Sequence, residues 1–444
     1  MPYTSPTLAD AQVALASRLN DPGFIHWLPA EITGYISESM RFWNATTQFW
    51  RDQESFSTVM GQSFYDLATV LPTLRPQTVT NWDLVADIEY ALLEPAAPGG
   101  TWTGSEQFTL AQINSAIQRR RDQFLRDTGC ILSHAVTTYG APPADGRIDL
   151  SVSVLIVRRV AWKPAATQLL TPVLRTDEWA ANAFSPAWPQ STDPPSAYST
   201  SATPPITLQL IPPTSLSGDL DLVSVNSGAA LDPTVETVLG IPDDLAWVIK
   251  FGALADLLGQ DALALDPARQ AYCESRYQQG VQIAKKQAVV LAGRIDGVVA
   301  PINALADADS YSPLWQLVPG EPESLVIAGQ NLIATWPRAG GGSPFTILLD
   351  VVRNAPVPSL AGDVLDFGQD VYDSILDYSQ HLALFKNGPT DLQLSMSLYQ
   401  RAAAAAGIVV DVQQASQPSR RPLLRQTQQD RQAVPEELSA VTVE

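Results

Sequence analysis

The sequence predicts an α+β fold, mainly α, in which helical bundle and hairpin modules carry inserted small antiparallel β modules and the whole is internally duplicated. Three observations predict it. Apolar residues recur at helical spacing through most of the long segments. Short Val/Ile-rich runs of alternating character lie between them. The chain also matches itself under two shifts, of 81 and 127 positions.

Residues 7–19 read as a helix with Thr7 as N-cap. A stronger helix follows Asp21-Pro22-Gly23, with Pro29 in its first turn, where a missing N–H costs little. Ile32, Ile36, Met40 and Trp43 make its apolar stripe. Residues 80–94 and 109–128 repeat this short-helix, long-helix order, the second striped by Ile113, Ile117 and Phe124. Residues 148–162 alternate and read as a strand. Residues 164–204 are rich in Pro, Ser and Trp and read as a long ordered loop or arm. Two short strands around 205–225 precede a helical hairpin, 242–259 and 266–293. After a linker, strands near 325–336 and 345–353 precede helices at 362–386 and 389–407.

The shift of 81 lays Ile32 on Ile113, Ile36 on Ile117, Trp43 on Phe124 and Thr47 on Thr128. The shift of 127 lays Ile206 on Ile333, Asp243 on Asp370, Phe251 on Tyr378, Tyr272 on Tyr399 and Gly280 on Gly407. The expected organisation is therefore a helical module at 1–79 and its copy at 80–165, then the arm at 166–204. A β-plus-hairpin module follows at 205–293, then a linker at 294–322, a second copy at 323–411 and an extended Gln/Arg-rich tail at 412–444.

Composition limits function. The 444 residues are 45% hydrophobic but only 16% charged, with a net charge of −19. That charge argues against a general nucleic-acid surface, which needs a basic field. It is compatible with acidic walls past which DNA slides. No stretch approaches roughly eighteen uninterrupted apolar residues, so no membrane span is expected. The first residues lack a basic and then apolar run, so no signal peptide is expected.

A catalytic constellation does not emerge. His26, His134 and His381 lack partners at metal-binding spacing and read as surface or loop residues. Cys130 and Cys273 lack CxxC spacing and read as small buried hydrophobes. Gly340-Gly341-Gly342-Ser343 has no following Lys and reads as a flexible hairpin turn, not a phosphate loop. Asp219 with Asp221 reads as a solvated strand face, and Asp307 with Asp309 as at most a weak cation ligand. No cofactor or metal is expected, and the chain is not expected to be an enzyme.

The informative residues lie elsewhere. Of the eleven Trp, Trp179 and Trp188 sit in the Pro/Ser-rich arm with little local core, so they are candidate interface anchors. The tail carries Arg420, Arg421 and Arg425 among Gln, Ser and Pro. It has too little apolar surface to order itself. An extended basic tail lying on an acidic neighbour is the expected arrangement, which makes these arginines candidate contacts.

The run from Leu28 to Leu67 resembles the opening of tailed-phage head–tail connector (adaptor or neck) proteins. The matching residues are Glu31, Ile32, Ile36, Trp43 and Thr47, then Phe64-Tyr65-Asp66-Leu67. PPITLQLIPPTSLSGDLDLVSV, IPDDLAWVIKFGALADLL and ARQAYCESRYQQGVQIAKKQ are similar to the second half of that class. The resemblance spans roughly residues 7–290, and the duplication and tail depart from family members, which are commonly half this size. It implies a homo-oligomeric ring, often of twelve subunits, joining the portal to tail or nozzle proteins in the virion and lining the DNA exit channel. Attachment of tail fibres is the alternative within the virion, and a virion-associated hydrolase the alternative among enzymes.

Overall fold

The computed structural model describes residues 5–92, 107–140, 142–166, 170–203, 205–260, 265–311, 315–316, 318–340 and 344–408. It begins with α1 (Leu8–Arg18) and α2 (Pro29–Thr47), then β1 (Arg51–Ser57), β2 (Phe64–Asp66) and the single turn α3 (Leu67–Val70). Next come α4 (Asn81–Leu92), α5 (Leu110–Thr128), β3 (Ser133–Tyr139), β4 (Arg147–Asp149), β5 (Val154–Pro164) and β6 (Thr171–Arg175). They lead into α6 (Glu178–Phe184), β7 (Ala197–Thr200), β8 (Thr207–Ile211), β9 (Gly218–Asn226), α7 (Ala246–Leu258) and α8 (Pro267–Lys286). The remainder is β10 (Val290–Ile295), β11 (Val298–Ala300), β12 (Ile302–Ala304), α9 (Leu305–Tyr311), β13 (Pro319–Gly320), β14 (Ser324–Ala328), β15 (Leu332–Trp336), β16 (Arg338–Ala339), β17 (Thr346–Val352), α10 (Gln369–Phe385) and α11 (Pro389–Ala405).

This corrects the expected fold class. Helix makes up 41% and strand 24%, and one sheet is a curled, seven-stranded half-barrel, so the fold is mixed α/β and not mainly α with small β modules. The physical reason lies in strands that show no apolar alternation. β1 is RDQESFS and β3 is SHAVTTY, both largely solvent-facing. The supposed arm contains β6 and β7, which belong to the large sheet, with α6 between them.

Packing joins the elements into two nested modules. The inner one runs from residue 79 to 286. The outer one is made of residues 5–75 and 287–408, so it surrounds the inner in sequence. The inner sheet has the order β3-β9-β5-β6-β7-β8-β4. The outer strands follow the same order in two pieces, β1-β17-β10-β11 and β12-β14-β15-β2. The break falls at Pro301, between β11 and β12, because proline cannot donate to a ladder. β6 is undivided. It pairs antiparallel with β5 through Val173 and parallel with β7 through Leu174 and Arg175, as the two halves β11 and β12 pair with β10 and β14.

The helices correspond as closely. α2 and α5 are both 19 residues long and end on left-handed residues, Gln48 and Gly129. Thr47 and Thr128 each donate their hydroxyl to the carbonyl four residues back, at 2.7 Å. Thr7 and Thr80 begin α1 and α4 with an Asp three residues on, Asp10 and Asp83, bonded back to the Thr backbone N–H at 2.9 Å. Each Thr also makes an isolated bridge, to Val364 and Val238 respectively. The loop before α8 is longer than the one before α11, so the buried stripe Cys273, Tyr277, Gly280, Val281 corresponds to Ser395, Tyr399, Ala402, Ala403. Tyr399 thus answers to Tyr277, and not to the Tyr272 that the shift of 127 suggests.

Each sheet closes over its own small core. Trp162, Tyr198, Leu208 and Leu220 fill the inner one, and Phe56, Tyr65, Leu325 and Leu349 the outer one. The largest core joins the helices of both modules. Arg276 lies fully buried in it, donating to the Tyr378 and Tyr399 hydroxyls at 2.5 and 2.6 Å, with the rings of Phe42 and Trp247 within 4.8 Å of its guanidinium.

Candidate functional site

The residues expected to carry chemistry are spread among structural roles. His381 is buried and bonded to the Tyr272 hydroxyl at 2.6 Å and to Ser395 at 2.9 Å, so the surface reading was wrong. Burial first, and the Arg276 charge second, lower its pKa to about 3. Cys130 and Cys273 are buried, and burial pushes both thiols up, away from the reactive thiolate. His26 meets Asn387 at 3.1 Å. Gly340 is half-buried, and the rest of that glycine run lies outside the described residues. Arg420, Arg421 and Arg425 lie outside them too.

The two acidic pairs are not a solvated face and a cation loop. Asp221 and Asp309 converge on Arg159, at 3.2 and 2.7 Å, and Asp221 also bonds His134 at 3.0 Å. Asp219 faces Lys163 at 3.6 Å. This ion cluster binds the outer module to the inner one, since Asp309 belongs to α9 and Arg159 to β5. Among the described residues, no group of three or more His, Cys, Asp or Glu is placed to hold a metal ion.

The arm holds a broad cleft. A cleft of about 900 Å³ lies between α6 and the outward face of β8, β7 and β4. Arg147, Arg175, Trp179, Ser199, Ser201, Thr207 and Gln209 line it, with Asp177 and Glu178 at the start of α6. Asp177 caps that helix by accepting from the Ala180 N–H at 2.7 Å. Arg147 donates to Gln209 at 3.2 Å. Trp179 and Phe184 stand 87% and 91% exposed. Trp188 is half-buried, its indole N–H held by Asn182 at 2.9 Å.

The outer module builds the same corner from different residues. Ser199 pairs with Gln209 across β7 and β8, and Val326 pairs with Ala334 across β14 and β15. Arg147 of β4 lies opposite Gln209, and Phe64 of β2 opposite Ala334. Ser201 and Thr207 likewise answer to Ala328 and Leu332. The outer set is apolar and buried, in one core with Leu132, Val223 and Val225 of the inner module. α9 answers to α6, and both are seven residues long. Trp315 answers to Trp188 and donates to Asp309 at 2.9 Å, as Trp188 does to Asn182, but Trp315 is fully buried.

The shift of 127 could have revealed this. It lays Ala181 on Ala308, Asn182 on Asp309, Phe184 on Tyr311 and Trp188 on Trp315. The arm and the linker were therefore one structure read twice. No protein-family model and no curated protein matches the chain.

Proposed function

We propose that this chain is a non-catalytic structural subunit of a tailed-phage head–tail connector, a homo-oligomeric ring in the virion neck between portal and tail. One observation carries the reading. A surface that is apolar and covered in the outer module is polar in the inner one, where it lines a cleft edged by the exposed Arg147, Ser201 and Trp179. Such a half-used surface is what a subunit needs to join further protein. The connector-like runs at Leu28–Leu67 and within 204–287 supply the kind of assembly. The net charge of −19 suits a channel that DNA passes without sticking. Portal, tail and nozzle proteins, and fibres, are the partners this reading implies.

The hydrolase alternative loses its support in the acidic cluster, where Asp219, Asp221 and Asp309 each already face a cation. Among the described residues, no helix is long and apolar enough to cross a membrane. Mass photometry and negative-stain imaging of the purified full chain test the proposal. Closed rings are expected, and they should bind purified portal rings of the same phage. A chain that stays monomeric at every concentration and ignores the portal would overturn it.

A further inference from the structure

We propose that the contact between the two modules of one chain is repeated between chains, with the inner module of one copy docking on the outer module of a second copy. This rests on the ring reading above and names the surfaces that build the ring.

Corresponding helices meet at the centre of the contact inside the chain, α8 with α11 through Arg276 and Tyr399 and α7 with α10 through Phe251 and Phe385, but its flanking contacts run in one direction. The outer module contributes Glu38 of α2, which accepts from Lys250 of α7, and Asn44, which donates to Asp244 at 2.6 Å. It also contributes Asp309 to Arg159, and Phe64 packed at a tilt against His134, ring centres 4.4 Å apart. The corresponding inner residues make no such contacts. Arg119 stands where Glu38 stands, one 81-residue step along, and its side chain is 59% exposed while bonded within its own module to Asp256. Asn182 stands for Asp309 and Arg147 for Phe64, and both are exposed. A reciprocal, two-fold contact would have used both sets at once. A one-directional contact leaves one donating and one receiving face free, which is the geometry that closes rings.

The free receiving face lies on the outer module. Lys250 of α7 answers to Asp377 of α10. Asp370 and Asp373 sit on the same exposed side of that helix, with Asp373 74% exposed. Asp377 is 13% exposed and already pairs with Arg18 and Arg401, at 2.9 and 3.1 Å, so a docking arginine would have to share its carboxylate with them. On the sheet, His134 answers to Gln53 of the exposed strand β1, beside Asp52. The donating face of the inner module carries Arg119 and Arg126, both exposed, and the Arg147–Arg175 cleft. Arg119 and Arg126 are thus set against Asp370, Asp373 and Asp377, while the cleft, which holds Asp177 and Glu178 beside its two arginines, adds no net charge.

The sign of the central pair is reversed between the two contacts. Glu38 with Lys250 inside the chain becomes Arg119 with Asp377 between chains. Either donor placed on the wrong receiver sets like charges together. The reversal thus keeps the internal contact and the chain-to-chain contact from exchanging.

Charge swapping tests this on the full chain, by mass photometry at fixed salt. Arg119→Asp alone and Asp377→Arg alone should each weaken assembly at least tenfold. Mixed one to one they should assemble again, because an alternating row then places opposite charges at every contact. The double variant in one chain should assemble too. Asp373→Arg, on a more exposed side chain, guards against a local effect on α10, and an unchanged circular dichroism melt shows that each variant folds. If Arg119→Asp assembles like the parent, or the folded mixture stays apart, the surfaces are wrong while the ring reading survives. If the parent chain never assembles, both fall together.

Discussion

In the outer module Phe64, Val326 and Ala334 lie under cover; in the inner module Arg147, Ser199 and Gln209 hold the same three places on the wall of a cleft, Arg147 exposed and the two shorter polar side chains buried at its base. The backbone order of the sheets is the same. What differs is the neighbour. Burying apolar area contributes roughly 25 cal/mol per Å², so a face that is always covered gains from apolar residues. A face that is bare until assembly must stay soluble, and Ser, Thr, Gln and Arg provide that. The difference teaches that duplication made two copies of one corner and that their neighbours then set the residues.

The tryptophan pair gives the largest expected effect. Trp315 is fully buried and its indole N–H is satisfied by Asp309. Trp315→Ala should cost about 3–5 kcal/mol in urea unfolding, from lost area and a cavity. It also leaves the Arg159–Asp309 junction poorly supported. Trp188→Ala, at the equivalent half-buried place, should cost about 1 kcal/mol or less. Equal costs would break the comparison, because they would mean that the inner corner is as closed as the outer.

A smaller effect comes from the junction itself. Asp244 is buried at the end of α2, where it accepts from Asn44 and from the Ala355 N–H at 3.0 Å. Burial raises its pKa to about 6, against the opposing pull of the Ala355 N–H and of Arg75. A carboxyl with a raised folded-state pKa stabilises the fold below its unfolded pKa and loses that contribution as pH rises to the folded value. Going from pH 4 to pH 7 should therefore cost the parent about 2 kcal/mol relative to Asp244→Asn, whose side chain does not titrate. Its counterpart in the outer module, Val371, gives that helix start no such dependence. Parallel stability–pH curves for parent and variant would show that folding leaves the Asp244 pKa where it is in the unfolded chain.

Much of this was legible beforehand, and the failures have physical causes. α2 and α5 were readable because a buried helix shows its stripe, and Ile32, Ile36 and Met40 reappear as fully buried residues. Trp179 was singled out as an aromatic in a segment with little local core, and it stands exposed. β1 and β3 were invisible, since a strand open to water on one face carries polar residues that look like loop. The nesting was invisible too. β1 pairs with β17, so strands near opposite ends of the chain join in register, Arg51 with Val352. Pairwise shifts show that segments are alike, but only hydrogen bonds show which copy belongs with which. Arg159 was missed because its meaning lies in Asp221 and Asp309, distant in sequence.

The smallest expected effect on stability is at Phe184, and it separates the two kinds of face most cleanly. Its ring is 91% exposed at the end of α6, so Phe184→Ser removes no buried area from the isolated subunit. Unfolding free energy should stay within about 0.5 kcal/mol of the parent. Assembly should nonetheless weaken, because an exposed aromatic anchor is lost from α6, the helix that also carries Trp179. Tyr311, its counterpart in the outer module, is likewise 80% exposed, although the Trp315 beside it is covered. The covered corner therefore ends before α9 does, and Tyr311→Ser should also leave stability unchanged. Comparing the two serine variants by mass photometry then asks whether the inner patch alone serves assembly. Loss of assembly for Phe184→Ser with none for Tyr311→Ser sharpens the contrast between the modules, and equal loss would erase it.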